Sequence, residues 1–485
     1  MGAPQSGNGL ALLANKCASR TFDISSGMVY ASIRDQIVRA QLLIRDLKHK
    51  EPTCSRLLIV GAGVAGLTAA ATASHLGIRA LVIEREDAPL SRQAGVHRRL
   101  VGPFMYEWPS CVSTSQDYPD MQVGLGHAIK GTPTWQSKDP LPASALVTAM
   151  RTWWNSHLFP SNQPAFCFSS PSAPTREYIN RFVGLSSMNS AVENSHFIAP
   201  TFQPHSKPTL IDGQPHLSTW KTFRPDYVIL AVGMENECVE LLKGAPAALR
   251  GTPFWDNDNL RDVKRAEEDI AVFGGGDGAL QDTLRLLTTH DHPLDFVGQL
   301  HKYAKAEMLA VLPELDALEQ QSRLVATWAG GAVYDLIDEK CQDLCEKLAR
   351  NTTVKSTVHA QLRKGKGCVH HVYRDSRFGR AYLLNRFAVH LLKACGTAEA
   401  SVRYEAYPAR EAKTITKLTL PFEIIIGAAQ DGKSDFPLKN IHGIVVRFGP
   451  SCEVTGDRQL IKLRPATRAD RMSMSAIPLP FTVAS

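Results

Sequence analysis

The sequence predicts an α/β fold, and three stretches of it predict that class. Arg56-Leu-Leu-Ile-Val-Gly-Ala-Gly-Val-Ala-Gly-Leu67 runs an apolar strand into a glycine turn and a helix, and Leu81-Val-Ile-Glu84 follows as a second strand ending in an acid. Asp226-Tyr-Val-Ile-Leu-Ala-Val-Gly233 is a further buried strand closed by glycine. Asp269-Ile-Ala-Val-Phe-Gly-Gly-Gly-Asp-Gly-Ala-Leu280 repeats the strand, glycine turn and helix order. Short continuous apolar runs of this kind are strands buried on both faces, as in parallel sheets covered by helices.

In the first stretch each residue has a task. Leu57 to Val60 form the strand, Gly61 makes the tight turn, Gly63 lets the backbone approach a pyrophosphate, and Gly66 lets the helix pack closely on the strand. Ala62 and Ala65 keep the turn and the helix start small. The helix N-terminus presents free N–H groups and a positive dipole end to the phosphates, so no cationic side chain is needed. Ala69 to Ala73 continue the helix, Gly77 ends it, and Ala80 to Ile83 form the next strand. Glu84, with Arg85 beside it, stands where a carboxylate accepts hydrogen bonds from ribose hydroxyls and disfavours a 2′-phosphate. The complete order points to FAD or NAD at this turn, with NADP disfavoured.

The remaining elements are read in chain order. Residues 1 to about 27 are small and polar, and Ala31 to Lys48 carries apolar residues at Ile33, Ile37, Ala40, Ile44 and Leu47 on one helical face. That face packs on the first domain or meets a second subunit in a homodimer, with packing favoured. After Glu84 a long loop places Arg98, Arg99, Tyr106 and Trp108 where they line a flavin or substrate pocket or pack the loop on itself. Ala145 to Leu158 reads as a helix bearing Trp153 and Trp154, and Phe182 to Thr222 as an antiparallel meander. Residues 303 to 350 and Arg380 to Ala394 read as helices, while Phe422 to Gly427 and Ile444 to Phe448 read as strands. Cys341 and Cys345, four apart, are read as helix packing, and no metal site is expected; the pair His370 and His371 is only a weak candidate.

Composition sets bounds on function. The chain has 485 residues, enough for two or three domains, with 44% hydrophobic and 21% charged residues as in an ordinary globular protein. No apolar run approaches the roughly 18 to 20 residues that span a bilayer. Met1 to Arg20 lacks a basic n-region, so a secretory signal is not expected, although Met1 to Ser6 loosely fits a myristoylation pattern. A net charge of +7 spread along the chain is no nucleic-acid footprint, and ten cysteines without regular spacing fit a reducing cytosol. A cytoplasmic protein with a small-molecule substrate is the expectation.

At this point a family resemblance becomes specific. Gly61, Gly63, Gly66 and Glu84 stand at the spacing of FAD-binding domains of the glutathione-reductase-like superfamily, and Asp226 to Gly233 resembles its short second motif. Gly274, Gly276 and Ala279 form GxGxxA, which resembles the NADP turn of two-dinucleotide flavoproteins. The order of motifs from Arg56 to His301 is similar to that of flavin-containing and N-hydroxylating monooxygenases and thioredoxin-reductase-like enzymes. The resemblance implies a Rossmann-like FAD-binding domain (53–235, after an N-terminal helix at 1–52) with an antiparallel β insertion. A second Rossmann-like segment (236–302), a helical part (303–420) and strands rejoining the FAD domain (421–485) follow.

It also implies FAD as cofactor and NADPH at the Gly274 turn, provided that turn binds a nucleotide. The next strand there is expected at Leu294 to Val297, followed by Gln299, His301 and Lys302 without an acid, which favours NADP over NAD. Asp277 inside the turn would repel a pyrophosphate unless it points away, so a purely structural turn stays open. No CxxC pair lies near either turn, which leaves dithiol chemistry without machinery. Gly456 and Asp457 are the candidates for the superfamily's C-terminal hold on the ribityl chain, and a surface turn, the favoured reading, explains the same residues. The reading is an FAD-dependent oxidoreductase, NADPH-reduced and monooxygenating a small organic substrate, with catalytic residues unassigned. Its alternatives are an FAD oxidase or dehydrogenase without a nicotinamide site, and a non-catalytic binding protein on the same fold, as in the Rab GDI family.

Overall fold

A computed structural model describes residues 10–18, 20–25, 33–84, 86, 88–101, 108–109, 140–157, 165–167, 225–233, 237–244, 246, 249–328, 331–379, 381–429 and 434–449. In the first half the strands are β1 (Lys16–Ala18), β2 (Thr21–Asp23), β3 (Arg56–Val60), β4 (Arg79–Ile83), β5 (Leu100–Val101), β6 (Leu141–Pro142), β7 (Ala165–Cys167) and β8 (Tyr227–Leu230). The helices there are α1 (Leu10–Asn15), α2 (Ile33–Lys50), α3 (Val64–His75), α4 (Ser91–Ala94) and α5 (Ala143–His157).

The first sheet has the order β1-β2-β8-β3-β4-β7, and all its pairs except β1 with β2 are parallel. Its core, β7-β4-β3-β8, is the 3-2-1-4 arrangement of a dinucleotide-binding half, with β3 as strand one. Helix α3 is buried from Val64 to Ser74 because it lies between this sheet and α2. Ile37, Ala40, Ile44 and Leu47 of α2 are completely buried in the same core, so the helix packs on the first unit. Asp226 staples the sheet: its Oδ2 accepts from Ser55 N, Ser55 Oγ and Arg56 N at 2.8, 3.0 and 2.9 Å.

In the second half the strands are β9 (Asp269–Phe273), β10 (Cys368–Tyr373), β11 (Arg403–Pro408), β12 (Arg410–Lys417), β13 (Phe422–Ala428) and β14 (Phe436–Val446). The helices are α6 (Asp277–Leu287), α7 (Pro293–Tyr303), α8 (Lys305–Trp328), α9 (Gly331–Ala349), α10 (Thr352–Ala360) and α11 (Leu383–Cys395). The second sheet runs β11-β10-β9-β14-β13-β12, with the first four strands parallel and the last two antiparallel. Strands β11-β10-β9-β14 repeat the 3-2-1-4 arrangement. The second Rossmann-like unit is therefore complete, and helices α7 to α10 are an insertion between its first helix and its second strand.

Two expectations are corrected here. Leu294 to Val297 is helical: Pro293 opens α7, His292 Nδ1 accepts from Leu294 N at 3.1 Å, and Phe296, Val297 and Leu300 bury one helical face. The second strand is instead β10, seventy residues further on, so the argument from Gln299, His301 and Lys302 falls away. The strands at Phe422–Ala428 and Phe436–Val446 join the second sheet and not the first, because β14 pairs in parallel with β9. The region 303–420 also contains β10, β11 and β12 besides its helices. The meander expected at 182–222 and the side chains of Trp153 and Trp154 lie outside the described residues. Cys341 and Cys345 are buried in the helical core, where Cys345 Sγ donates to Phe387 O at 3.5 Å.

The two units meet across a buried charge network. Asp282 on α6 is fully buried and accepts from Arg99, from Arg447 Nε at 2.9 Å and from Arg285 at 3.2 Å. Arg99 and Arg285 share Asp258 as a second partner, at 2.9 and 2.7 Å. Burial alone would raise the Asp282 carboxyl, but Arg99, Arg447 and Arg285 hold it well below the ordinary carboxylate range. The loop that carries Arg99 is pinned further where Asn257 Oδ1 accepts from His97 N and Arg98 N at 2.8 and 3.0 Å. Trp108 crosses into the second unit, packs at a tilt against Phe387 with ring centroids 4.8 Å apart and donates to His301 Nε2 at 3.1 Å. Removing one partner of a buried ion pair typically costs about 3–5 kcal/mol. Asp282→Ala is accordingly expected to lower the unfolding free energy by about that much in urea titrations, and a loss under about 1 kcal/mol would contradict this role.

Candidate dinucleotide-binding site

The first turn is built by β3, α3, β4 and β8 together. Gly61 has φ +104°, and a Cβ there would stand 2.3 Å from Ala231 O just past β8. A Cβ on Gly66 would meet Gly61 O at 1.8 Å. Both glycines are demanded by backbone approaching backbone. Gly63 differs: it is the N-cap of α3 in extended conformation, and among the described residues a Cβ there would meet nothing within 4 Å. The N-terminus of α3 has no side-chain cap, so its first-turn N–H groups, which lack intrahelical acceptors, open onto that space.

Glu84 closes the rim. Its Oε2 accepts from Ala62 N at 2.6 Å and its Oε1 from Glu86 N at 3.1 Å, which holds the carboxylate beside the turn. Ala62 O accepts from Leu90 N at 3.2 Å, and Ala65 is buried in the first helical turn. Gly233, with φ +75°, follows the Ala231 carbonyl that touches Gly61. Ser25 Oγ steadies that segment by accepting from Val232 N at 3.1 Å, a contribution with no signal in the sequence. Gly61, Ala62, Gly63, Ala65, Gly66, Glu84 and Gly233 thus come together, while Arg85 and Asp457 lie outside the described residues.

The loop residues proposed for a pocket have other places. Arg99 and Trp108 are buried in the contacts between units, Arg98 is exposed, and Tyr106 lies outside the described residues.

The second turn repeats the geometry with a different occupant. Gly274 has φ +136°, and a Cβ there would stand 2.3 Å from Arg447 O just past β14, matching Gly61 against Ala231. Gly276 is the N-cap of α6, and Ala279 packs where Gly66 does in the first turn. Asp277, the first residue of α6, accepts from Tyr382 N at 2.9 Å and from Asn385 Nδ2 at 2.5 Å. Its carboxylate therefore ties the start of α6 to the start of α11. Gly275 O also accepts from Gly379 N at 2.9 Å. Burial pushes the Asp277 carboxyl up to about 6, against the lowering effect of Asn385 and Tyr382 N.

His371 Nε2 lies 2.7 Å from Gly274 O and its Nδ1 2.9 Å from the Tyr404 hydroxyl. A carbonyl only accepts, so Nε2 carries the proton and Nδ1 accepts from Tyr404. Burial pushes this imidazole down to about 4, which keeps it neutral near pH 7.

Residues 59–122 match the family model of the NAD(P)-binding Rossmann-like domain. Those residues run from the end of β3 through α3 and β4, so the first unit carries the likeness to that domain. A search of the curated proteins finds no match. Among solved structures, thioredoxin reductase of Lactococcus lactis is 13% identical, with 81% of this chain and 77% of that chain covered and a TM-score of 0.32. Bacillithiol disulfide reductase of Staphylococcus aureus is 11% identical over 85% of this chain and 80% of that one, at a TM-score of 0.36. The 6-hydroxypseudooxynicotine amine oxidase of Pseudomonas geniculata is 11% identical over 94% of this chain and 49% of that one, at 0.31. Likeness at this level carries nothing about activity; the Rossmann-like assignment rests on the family match and the strand order.

The glycines separate ligand space from backbone contact. Gly63→Glu is expected to keep the wild-type melting temperature within a few degrees while losing bound dinucleotide, because its side chain enters open space. Gly66→Val should lose both, since no rotamer relieves a Cβ 1.8 Å from a backbone oxygen. Thermal melts read alongside cofactor content decide this, and a Gly63→Glu protein with full cofactor content would refute the site. At the second turn, a carboxyl raised from its ordinary value of 3.8 to about 6 binds its proton more tightly when folded. Stability relative to Asp277→Asn should therefore fall as pH rises from about 4 through 6. Parallel urea titrations of the two proteins check the sign.

Proposed function

We propose that the chain is an FAD-dependent oxidoreductase acting on a small organic molecule, with FAD on the Gly61 turn. The observation that supports it is the open cradle at Gly63, where an uncapped helix N-terminus faces space that a Cβ would enter freely. The N–H groups at the start of α3 would hold the pyrophosphate, and Glu84, held beside the turn by Ala62 N, stands where ribose hydroxyls would donate to it. When bound, the flavin supplies hydride or electron exchange with a substrate. The chain's own part is to hold that cofactor against the first sheet, to repel a 2′-phosphate with Glu84, and to keep both units in fixed register through Asp282.

Reduction by NADPH, followed by monooxygenation, is the finer reading. It draws on the second 3-2-1-4 unit and on exposed Arg374 directly after β10, where a 2′-phosphate falls in such folds. Asp277 at the helix terminus works against a second pyrophosphate and favours the alternative of an oxidase or dehydrogenase reduced by its own substrate.

One absorbance experiment separates these readings. The purified protein should show flavin bands, and anaerobic NADPH should bleach them. Protein that stays colourless after incubation with FAD would overturn the flavoprotein reading and support a binding module. Flavin that remains oxidised with NADPH would remove the monooxygenase and leave the oxidase or dehydrogenase.

A further inference from the structure

Strand β10 pairs with the edge strand β11 so that Cys368 faces Arg403, His370 faces Glu405 and Val372 faces Tyr407. Paired residues of parallel strands share a face, and side chains alternate along each strand, so Cys368, His370 and Glu405 stand together on one side of the sheet. Their donor atoms all lie within 4.8 Å of one another, and His370 Nδ1 is 3.4 Å from Glu405 Oε2. His371 points to the opposite face and has both ring nitrogens engaged, by Gly274 O and the Tyr404 hydroxyl. His370 is therefore separated from its neighbour by the pleat.

We propose that Cys368, His370 and Glu405 form a zinc-binding site that clamps β11 onto β10. Thiolate, imidazole and carboxylate are the donors zinc takes, and together the two anions balance its charge. Tetrahedral zinc with bonds of about 2.0–2.3 Å places donors roughly 3.3–3.6 Å apart, which the His370–Glu405 pair already meets. Cys368 Sγ, within 4.8 Å of the other two donors, closes in by side-chain rotation, and zinc would displace the Tyr407 hydroxyl that lies 3.2 Å from His370 Nδ1. Tyr407 donates to Glu405 Oε2 at 2.5 Å, the outer hydrogen bond that orients a ligating carboxylate. Cys368 has no solvent exposure, whereas Glu405 is 45% exposed, so the fourth coordination position opens to water on the Glu405 side. The cluster sits toward the N-terminal end of β10, away from the Gly274 turn at the other end of the parallel strands. It is thus a site separate from the dinucleotide crevice and independent of the FAD proposal.

Metal binding to the full-length protein, first dialysed against a chelator, tests this. Co2+ alone serves as the probe, because a four-coordinate thiolate site gives visible d–d bands and a near-ultraviolet sulfur-to-cobalt band. One equivalent is expected, displaced by Zn2+, with a higher melting temperature in Zn2+ than in chelator. Cys368→Ser should lose the sulfur-to-cobalt band while Cys238→Ser keeps it. Glu405→Gln, at a half-exposed position that tolerates substitution, should weaken Co2+ binding, and Tyr407→Phe should weaken it roughly 10-fold or more. Absence of a stoichiometric sulfur-to-cobalt band in the wild-type protein overturns the proposal. So does a band that survives Cys368→Ser, or unchanged affinity in Glu405→Gln.

Discussion

The Asp282 carboxylate has no contact with solvent and faces Arg99, Arg285 and Arg447, each of which comes from a different part of the chain. Arg99 belongs to the loop that follows the first unit's second strand, Arg285 to the helix after the second glycine turn, and Arg447 to the end of β14. A buried guanidinium without an anion is costly, so none of these segments can leave the junction alone. The network therefore sets the register between the two Rossmann-like units, and with it the relation between the two turns. It also explains why Arg99 is not free to line a pocket: it is held by Asp282 and Asp258.

The two turns obey one steric constraint and diverge electrostatically. In each, the first glycine is pressed against the carbonyl at the end of the strand on the far side, Ala231 for Gly61 and Arg447 for Gly274. This close approach ties strand one to strand four and leaves no room for a side chain. Beyond it, neither helix has a side-chain cap; the first begins with Val64, whereas the second begins with Asp277, whose carboxylate is engaged by Tyr382 N and Asn385 at the start of α11. The same backbone device can therefore serve a ligand in one unit and the docking of α11 in the other.

Docking of α11 has its own buried support. Asp338 on α9 takes Arg386 at 2.6 Å and His390 at 2.9 Å, and Arg386 also donates to the carbonyls of Ala381, Phe378 and Gly379. The segment lying over the second turn is thus fixed from behind by the helical insertion. Anything that binds at Gly276 meets a wall already held by ion pairs and not a loose loop. Among the described residues, no helix is long and apolar enough to cross a membrane.

Local structure was legible wherever one residue has one steric or periodic reason. Gly61, Gly66 and Gly274 must be glycine, α2 shows its buried stripe, and Glu84 ends its strand beside the turn, so the strand–turn–helix units and their ligand-facing ends follow from the sequence alone. Pairing was not legible, because parallel strands find partners across long separations. Leu294 to Val297 supplied a nearby apolar run, while the true second strand, β10, lies beyond an inserted helical stretch. The role of Asp277 likewise depends on Tyr382 and Asn385, more than a hundred residues away, which no local pattern reports. The sequence by itself determined where the chain turns and which positions in those turns must be glycine. Only the tertiary structure decided which charges meet, since burial makes an ion's partner, and not its own identity, the measure of what it does.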